Sequence, residues 1–447
     1  MLLTDLNAPV QRRDYLIYGF VLALVKYAGD VAIVWFGAHF FWTPLDYVQS
    51  VWSLLTRFRP PRHQWMLLAL AVWTVPFIWV GFTLSARRAK NAGLSVLTAI
   101  WFFVPYANYL LMAVLCLRPE EVPAPVTRQP DDDRTSDSSL STSALAITAG
   151  LAVALVMVAI TVVGLNRYGA VLFFLTPFMM GAVTTYVLNR RTRTTGTETT
   201  SVVLALFGFT AVALLMLAFE GLMCLIMALP IAIALGLFGS FFVRQFLSDS
   251  TRAPSILGMM LAILPVSAFV EPTPAAALYE VRSAVDVNAA PMEVWHKVVA
   301  FPPLPKPTDW LFTSGIAYPM AARIEGAGVG AVRYCEFSTG AFVEPITTWE
   351  PGARLSFAVT ASPPPLREWS PYAGVAPPHL DGYLRSRRGE FRLIALSDGR
   401  TRLEGSTWYE LRIAPVIYWK MFSDTLIRRI HLRVLDHVRV LAENGRN

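Results

Sequence analysis

The strongest constraint in this sequence is where its long apolar runs fall. Eight candidates lie near 15–41, 64–84, 94–116, 143–164, 168–188, 201–219, 221–243 and 255–270, all within the first 270 of 447 residues. Crossing about 30 Å of hydrocarbon takes about 20 mostly apolar residues, so these runs predict membrane helices. The chain is 55% hydrophobic and 15% charged, against about 25% charged in ordinary soluble domains. That balance excludes a wholly soluble globular chain, a disordered chain and a disulfide scaffold. Charge is also unevenly placed: 31 charged residues lie in 1–270 and 38 in 271–447. A membrane part followed by a water-soluble part is expected. The first run begins after Arg12 and Arg13 and is too long for a cleavable signal.

The net charge of +7 comes without the clustered basic face that nucleic-acid binding needs. Cys116, Cys224 and Cys335 have neither disulfide nor metal spacing. Between the third and fourth runs, 118–142 holds Glu120, Glu121, Asp131, Asp132 and Asp133 among Ser, Thr and Pro; it predicts a disordered linker. The expected organisation is a three-span domain over 1–117, the linker 118–142, a five-span domain over 143–270 and a soluble domain over 277–447. The stretch 43–57 has apolar residues at helical spacing and suits an interfacial helix or a loop.

Lys26 and Asp30 lie four apart in the first run, on one helix face, and form an intramembrane pair. Such charges often mark function; neutralising each other is the alternative. Glu220 falls in a Phe-Glu-Gly turn between two runs. The basic residues Arg190, Arg191, Arg193, Arg244 and Arg252 place the loops 190–199 and 244–254 on the cytoplasmic side and the C-terminal domain outside the cytoplasm.

Residues 12–118 carry Arg12-Arg13-Asp14-Tyr15 before a span, Arg87-Arg88-Ala89-Lys90-Asn91 between spans, and Cys116-Leu117-Arg118-Pro119 at the close. The pattern resembles the bacterial inner-membrane family called domain of unknown function 805, whose usual His-Asp pair after the double Arg is replaced here by Ala89-Lys90-Asn91. The resemblance implies a bacterial cytoplasmic membrane and no specific activity. Arg87, Arg88 and Lys90 form a juxtamembrane cluster able to hold anionic lipid headgroups, or simply to set topology.

From about 277 the rhythm changes. Val281, Ser283, Val285 and Val287 alternate with polar residues, a strand period. Pro291 suits a first helical position before Val294, Trp295, Val298 and Val299. Further strands are expected near 317–326, 329–338, 341–350, 353–361, 384–397 and 400–412. Gly326–Gly330 is a turn rather than a dinucleotide motif, since no helix follows it. A long amphipathic helix closes the chain over about 415–443, with Trp419, Phe422, Leu426, Ile430, Val434 and Val438 along one stripe.

The string Val287 to Trp295, the terminal helix, Gly328 to Arg333 and Arg402 to Tyr409 resemble the START-like lipid-binding and polyketide-cyclase (SRPBCC) superfamily over about 278–443. The resemblance implies a helix-grip fold, in which a sheet curls around the last helix and leaves an apolar cavity. The fold class expected is thus an α-helical integral membrane protein of about eight transmembrane helices with a C-terminal α+β helix-grip domain.

The loop 362–383 joins two strands with about twenty residues, far more than a hairpin needs. It is a lid over the cavity or a packed loop. Trp369, Tyr372, His379 and Tyr383 on it, with Trp408, Tyr418 and His431, are the candidate cavity or lid residues. His379 with Asp381, and Glu390 on the next strand, are the candidate catalytic groups, a His near a carboxylate being able to act as general base; a turn His and a capping Asp are the alternative. The scattered histidines offer no metal motif, and no cofactor is expected. The leading function is membrane-anchored binding of a lipid or other hydrophobic small molecule, to sense or transfer it. A cyclase- or hydrolase-type enzyme using the same cavity is the alternative, and a membrane scaffold a third. The expected partners are membrane lipids and that molecule.

Overall fold

A computed structural model describes residues 10–48, 64–103, 107–120, 132–190, 193–247, 251–272, 277–370 and 377–444. The chain divides into two compact units, one of 1–166, 171–270 and 370–375, the other of 167–170, 271–369 and 376–447. The stretches 1–117, 143–166 and 171–270 fall in the first unit.

The helices of the first unit are α1 (Arg12–Ala38), α2 (Gln64–Asn91), α3 (Ala107–Leu117), α4 (Asp132–Val158), α5 (Thr176–Asn189), α6 (Gly196–Met216), α7 (Leu222–Phe242) and α8 (Ala253–Val270). Among the described residues, six stretches are long and apolar enough to cross a membrane: Arg12–Ala38, Thr142–Gly164, Val171–Asn189, Gly196–Met216, Leu222–Phe246 and Ala253–Val270. The second expected run lies within α2, which carries Pro76 in its interior. The third does not form one long helix. A 3₁₀ segment over Val96–Phe103 is followed by the 11-residue α3. In sequence Pro105 falls between them, where a proline lacks an N–H and disfavours helix in the residue before it. The proposed interfacial helix is described only to residue 48, and Pro44–Val48 is a 3₁₀ turn. The linker expected over 118–142 is also corrected in part, because α4 begins at Asp132. A helix satisfies its own backbone bonds, so it can run past the end of an apolar stretch.

Backbone packing in this unit depends on small residues. Gly181 on α5 lies so close to Gly236 on α7 that a Cβ would overlap the Gly236 carbonyl oxygen, the close approach that small residues permit between apolar helices. One turn on, Thr185 and Ser240 share a hydroxyl–hydroxyl bond of 2.7 Å. Among the described residues, three π-helical turns occur, over Ala159–Gly164, Val171–Leu175 and Val243–Leu247. Lys26 Nζ donates to Asp30 at 2.5 Å, and the Tyr47 hydroxyl donates to the same oxygen.

The second unit is a seven-stranded antiparallel sheet in the order β1-β7-β6-β5-β4-β3-β2. The strands are β1 (Leu278–Val287), β2 (Pro319–Glu325), β3 (Val332–Phe337), β4 (Gly340–Glu350), β5 (Arg354–Ala358), β6 (Leu384–Ala395) and β7 (Thr401–Leu411). Helix α9 (Pro291–Val299) follows β1, with Pro291 at its first turn as expected. A short helix α10 (Trp310–Thr313), absent from the sequence reading, starts where the Asp309 side chain accepts from Leu311 N–H. The β6–β7 hairpin turns at Asp398-Gly399, where Gly399 has φ +80°, a conformation that favours glycine. Helix α11 (Val416–Asn444) closes the unit. Its Val434, Leu435 and Val438 pack with Val287, Trp295 and Leu403 in one core. Long terminal helix, curled antiparallel sheet and the α9 segment together make the expected helix-grip layout.

Candidate functional site

Sheet and α11 leave a cavity of about 110 Å³ between them. Its apolar walls include Phe337, Phe342, Phe357, Phe391, Ile430 and Leu435. Ser386, Arg388, Ser406 and Thr407 also line it, and three further polar groups interrupt the apolar walls. The first is an ion pair between Arg333 on β3 and Glu344 on β4, directly opposite each other in the strand register. Both are buried, Arg333 at 1% and Glu344 at 5% exposure. Arg333 Nε also donates to the Val299 carbonyl at 3.3 Å. Its guanidinium lies 5.7, 5.5 and 5.5 Å from the ring centres of Phe301, Phe357 and Phe391. Burial raises the Glu344 carboxyl above its ordinary range, with Arg333 acting the other way. Burial also pushes the neighbouring Cys335 thiol up to about 12, so it is no nucleophile at neutral pH.

The second polar group is His431. Its Nε2 bonds Thr407 Oγ1 at 2.7 Å and its Nδ1 meets Ser283 Oγ at 3.3 Å. Burial, and then the nearby Arg428, push its pKa down to about 4, so the ring is neutral at pH 7. The third is Glu390, which accepts from Ser356 Oγ at 2.9 Å across the β5–β6 pair.

Of the residues singled out from sequence, His431 and Glu390 line this cavity. The others are elsewhere. Trp369 is 62% exposed, and Tyr372 lies outside the described residues. The Trp408 ring lies 3.7 Å beneath the Arg388 guanidinium, its cross-strand neighbour. Tyr418 joins Trp419 and Phe422 in an aromatic cluster at the start of α11. Tyr383 meets the Tyr168 ring edge-on at 5.4 Å. The proposed His379–Asp381 catalytic pair does not face the cavity. His379 packs on Tyr168 at 4.7 Å, while the Asp381 side chain is 96% exposed and lies 3.7 Å from Arg385. The 3₁₀ turn over Pro378–Leu380 sends the two side chains to different surroundings, which spacing in sequence alone does not reveal.

The headgroup cluster is corrected as well. Arg87 and Arg88 are buried, and of the three only Lys90 is exposed. Arg88 donates to the carbonyls of Leu115 and Arg118 at 3.1 and 2.5 Å. These are at the end of α3, where a helix leaves carbonyls without partners and favours a cation.

Arg333 and Glu344 were not singled out, yet a signal for them exists. Arg333 shares its strand phase with Cys335 and Phe337, and Glu344 shares its phase with Phe342 and Ile346. Two opposite charges on the inward phase of adjacent strands predict a buried pair.

No protein-family model matches the chain, so the resemblance of 12–118 to the domain of unknown function 805 gains no support there. No curated protein matches in sequence. Among solved structures, the Zhui aromatase/cyclase from a Streptomyces species is 14% identical, with TM-score 0.25, over 38% of this chain and 97% of that one. A truncated norcoclaurine synthase from Thalictrum flavum is 13% identical, with TM-score 0.25, over 39% and 97%. The Aha1 dimer from Colwellia psychrerythraea is 12% identical, with TM-score 0.22, over 36% and 97%. What defines this unit is its own strand order, register and terminal helix.

Proposed function

We propose that the chain is an integral membrane protein whose C-terminal unit binds a small hydrophobic molecule in the helix-grip cavity, to sense it or to pass it to or from the bilayer. The observation that carries this reading is the cavity itself, walled by phenylalanines, Ile430 and Leu435. Its volume narrows the ligand. An apolar cavity of about 150 Å³ holds benzene, so the smaller space of about 110 Å³ suits an apolar group smaller than benzene, such as the end of an acyl chain, rather than a whole lipid. Membrane residence is supported by the six long apolar helices and by large side chains such as Phe20 and Phe36, 66% and 77% exposed on α1. Soluble monomers rarely expose such continuous apolar surface. Membrane lipids are then the first unit's surroundings, and the arginines of the 190–199 and 244–254 loops favour an extracytoplasmic C-terminal unit in a bacterial cytoplasmic membrane.

The test is cavity filling. In detergent-solubilised full-length protein, Ile430→Trp should weaken binding of a small aliphatic probe such as n-butane by about tenfold or more, through lost apolar burial of about 1–2 kcal/mol, and leave thermal stability intact. Unchanged probe binding in Ile430→Trp, or no binding to the wild type, overturns the reading.

A further inference from the structure

Arg244 lies on the π turn Val243–Leu247 that continues α7, at the end of the apolar stretch Leu222–Phe246. The bond between Thr185 and Ser240 leads, four residues further along each helix, to Asn189 on α5 and to Arg244. Arg244 Nη1 donates to Thr199 Oγ1 at 2.6 Å, to the Thr194 carbonyl at 3.1 Å and to the Thr195 carbonyl at 3.4 Å. These oxygens sit at the start of α6 and are themselves fixed. Thr194 Oγ1 lies 2.8 Å from Thr199 Oγ1 and donates to Asn189 Oδ1 at 3.1 Å. Every partner of this guanidinium is neutral, although a guanidinium brings five N–H donors and a full charge. Nε and Nη2 have no bond among the described residues, and neither is shut off from the surface. Resting on the reading of the first unit as membrane-embedded, we propose that Arg244, held by the start of α6, is the headgroup site of an anionic phospholipid: Nε and Nη2 take the phosphodiester, and the acyl chains run along Phe241 and Phe246.

Charge and surface together select that ligand. Arg190, just after α5, is exposed and its side chain has no bond among the described residues. Arg193 on the same loop and Arg252 on the 244–254 loop are exposed as well. Against these four arginines the described parts of the two loops hold one carboxylate, Glu198, whose Oε2 accepts the Thr195 N–H at 2.9 Å in a capping box. Asp249 lies outside the described residues. The surplus is positive, and a guanidinium offers paired N–H groups that match two phosphate oxygens. Basic groups at the ends of membrane helices meet lipid phosphates at that depth. Phe241 and Phe246 are 56% and 63% exposed, apolar surface that a free phosphate would leave unused. A zwitterionic lipid would bring its own ammonium into the positive surplus. Arg88 has no such capacity, since it is fully buried and donates to carbonyls.

The experiment uses full-length protein in phosphatidylcholine vesicles, with a bimane fluorophore on Gln245→Cys, an exposed neighbour of Arg244. The background is Cys116→Ser, since Cys224 and Cys335 are buried. Brominated phosphatidylglycerol or brominated phosphatidylcholine is added at the same small mole fraction, and the ratio of their quenching is read. With Arg244 present, phosphatidylglycerol should quench about fivefold more strongly, the preference that about one arginine gives at an anionic surface. Arg244→Gln should bring the ratio down toward one, and Arg244→Lys, which keeps the charge, should retain most of it. Arg190→Gln removes a side chain with no bond to lose and should lower the ratio in part. Millimolar inorganic phosphate should leave it unchanged. A ratio near one with Arg244 in place overturns the proposal without recourse to a variant that might not fold. So does a ratio that Arg244→Gln leaves unaltered. Collapse of the ratio in inorganic phosphate assigns the site to the free ion and overturns the lipid. In each of these cases membrane residence stands as long as brominated phosphatidylcholine quenches a second bimane on Phe36→Cys of α1. Absence of quenching by either lipid at both positions overturns membrane residence as well.

Discussion

His431 couples the cavity to pH. Its ring is held neutral by burial, with a pKa of about 4 against about 6.5 in an unfolded chain. Between those values the unfolded chain binds a proton that the folded one does not. The contribution of this residue to stability is therefore fully present above about pH 6.5 and is lost as pH falls toward 4. One proton corresponds to at most about 1.4 kcal/mol per pH unit. His379 and His437 are also lowered by burial, so the readout is a difference. Unfolding free energies of wild type and His431→Gln should converge as pH drops through this window, and parallel curves would show that His431 is not the group responsible. Arg333 and Glu344 show what single residues conceal in a sequence. Each is charged and each alternates with apolar neighbours, so the strand period alone places them inside, but the habit of assigning charge to the surface places them outside. The Asp381 side chain shows the reverse: proximity to His379 in sequence suggests a pair, and a single 3₁₀ turn separates them.

At the scale of elements, the packing of α5 on α7 is set by a glycine with no room for a Cβ. Gly181→Leu should lower the thermal midpoint of the detergent-solubilised protein by an amount matching about 1–3 kcal/mol of overpacking. Gly208 on α6 has nothing near where its Cβ would stand, so Gly208→Ala should hold or raise stability, as alanine favours helix over glycine. Equal losses in both would mean that close approach is not the cause. The strands and the terminal helix were legible because half-buried elements advertise their period. β1 alternates, and α11 repeats every three or four residues, through Trp419, Val434 and Val438. The break in the 94–116 run was not legible from hydropathy, which weighs side chains and ignores whether a backbone can continue. The early start of α4 was missed for a similar reason: polarity predicts the absence of a core, and a helix needs none to satisfy its own backbone.

At the scale of the whole molecule, the two units have separate cores. Under the proposed membrane reading, the arginine-rich loops predict the side on which the C-terminal unit lies. A phosphatase reporter active only outside the cytoplasm should be active when fused after Asn447, and a reporter fluorescent only in the cytoplasm should be dark there. The opposite pair of results would place the cavity in the cytoplasm. The π turns have a consequence for how such a molecule tolerates change in chain length. Removing one residue from an ordinary helix such as α6 rotates every later side chain by about 100° about the axis and misdirects its packing face. A π turn already holds one residue more than an α turn. A single deletion within Ala159–Gly164 or Val171–Leu175 therefore relaxes the segment to regular helix and preserves the faces on either side, so these are the positions where the bundle can shed a residue without being re-sorted.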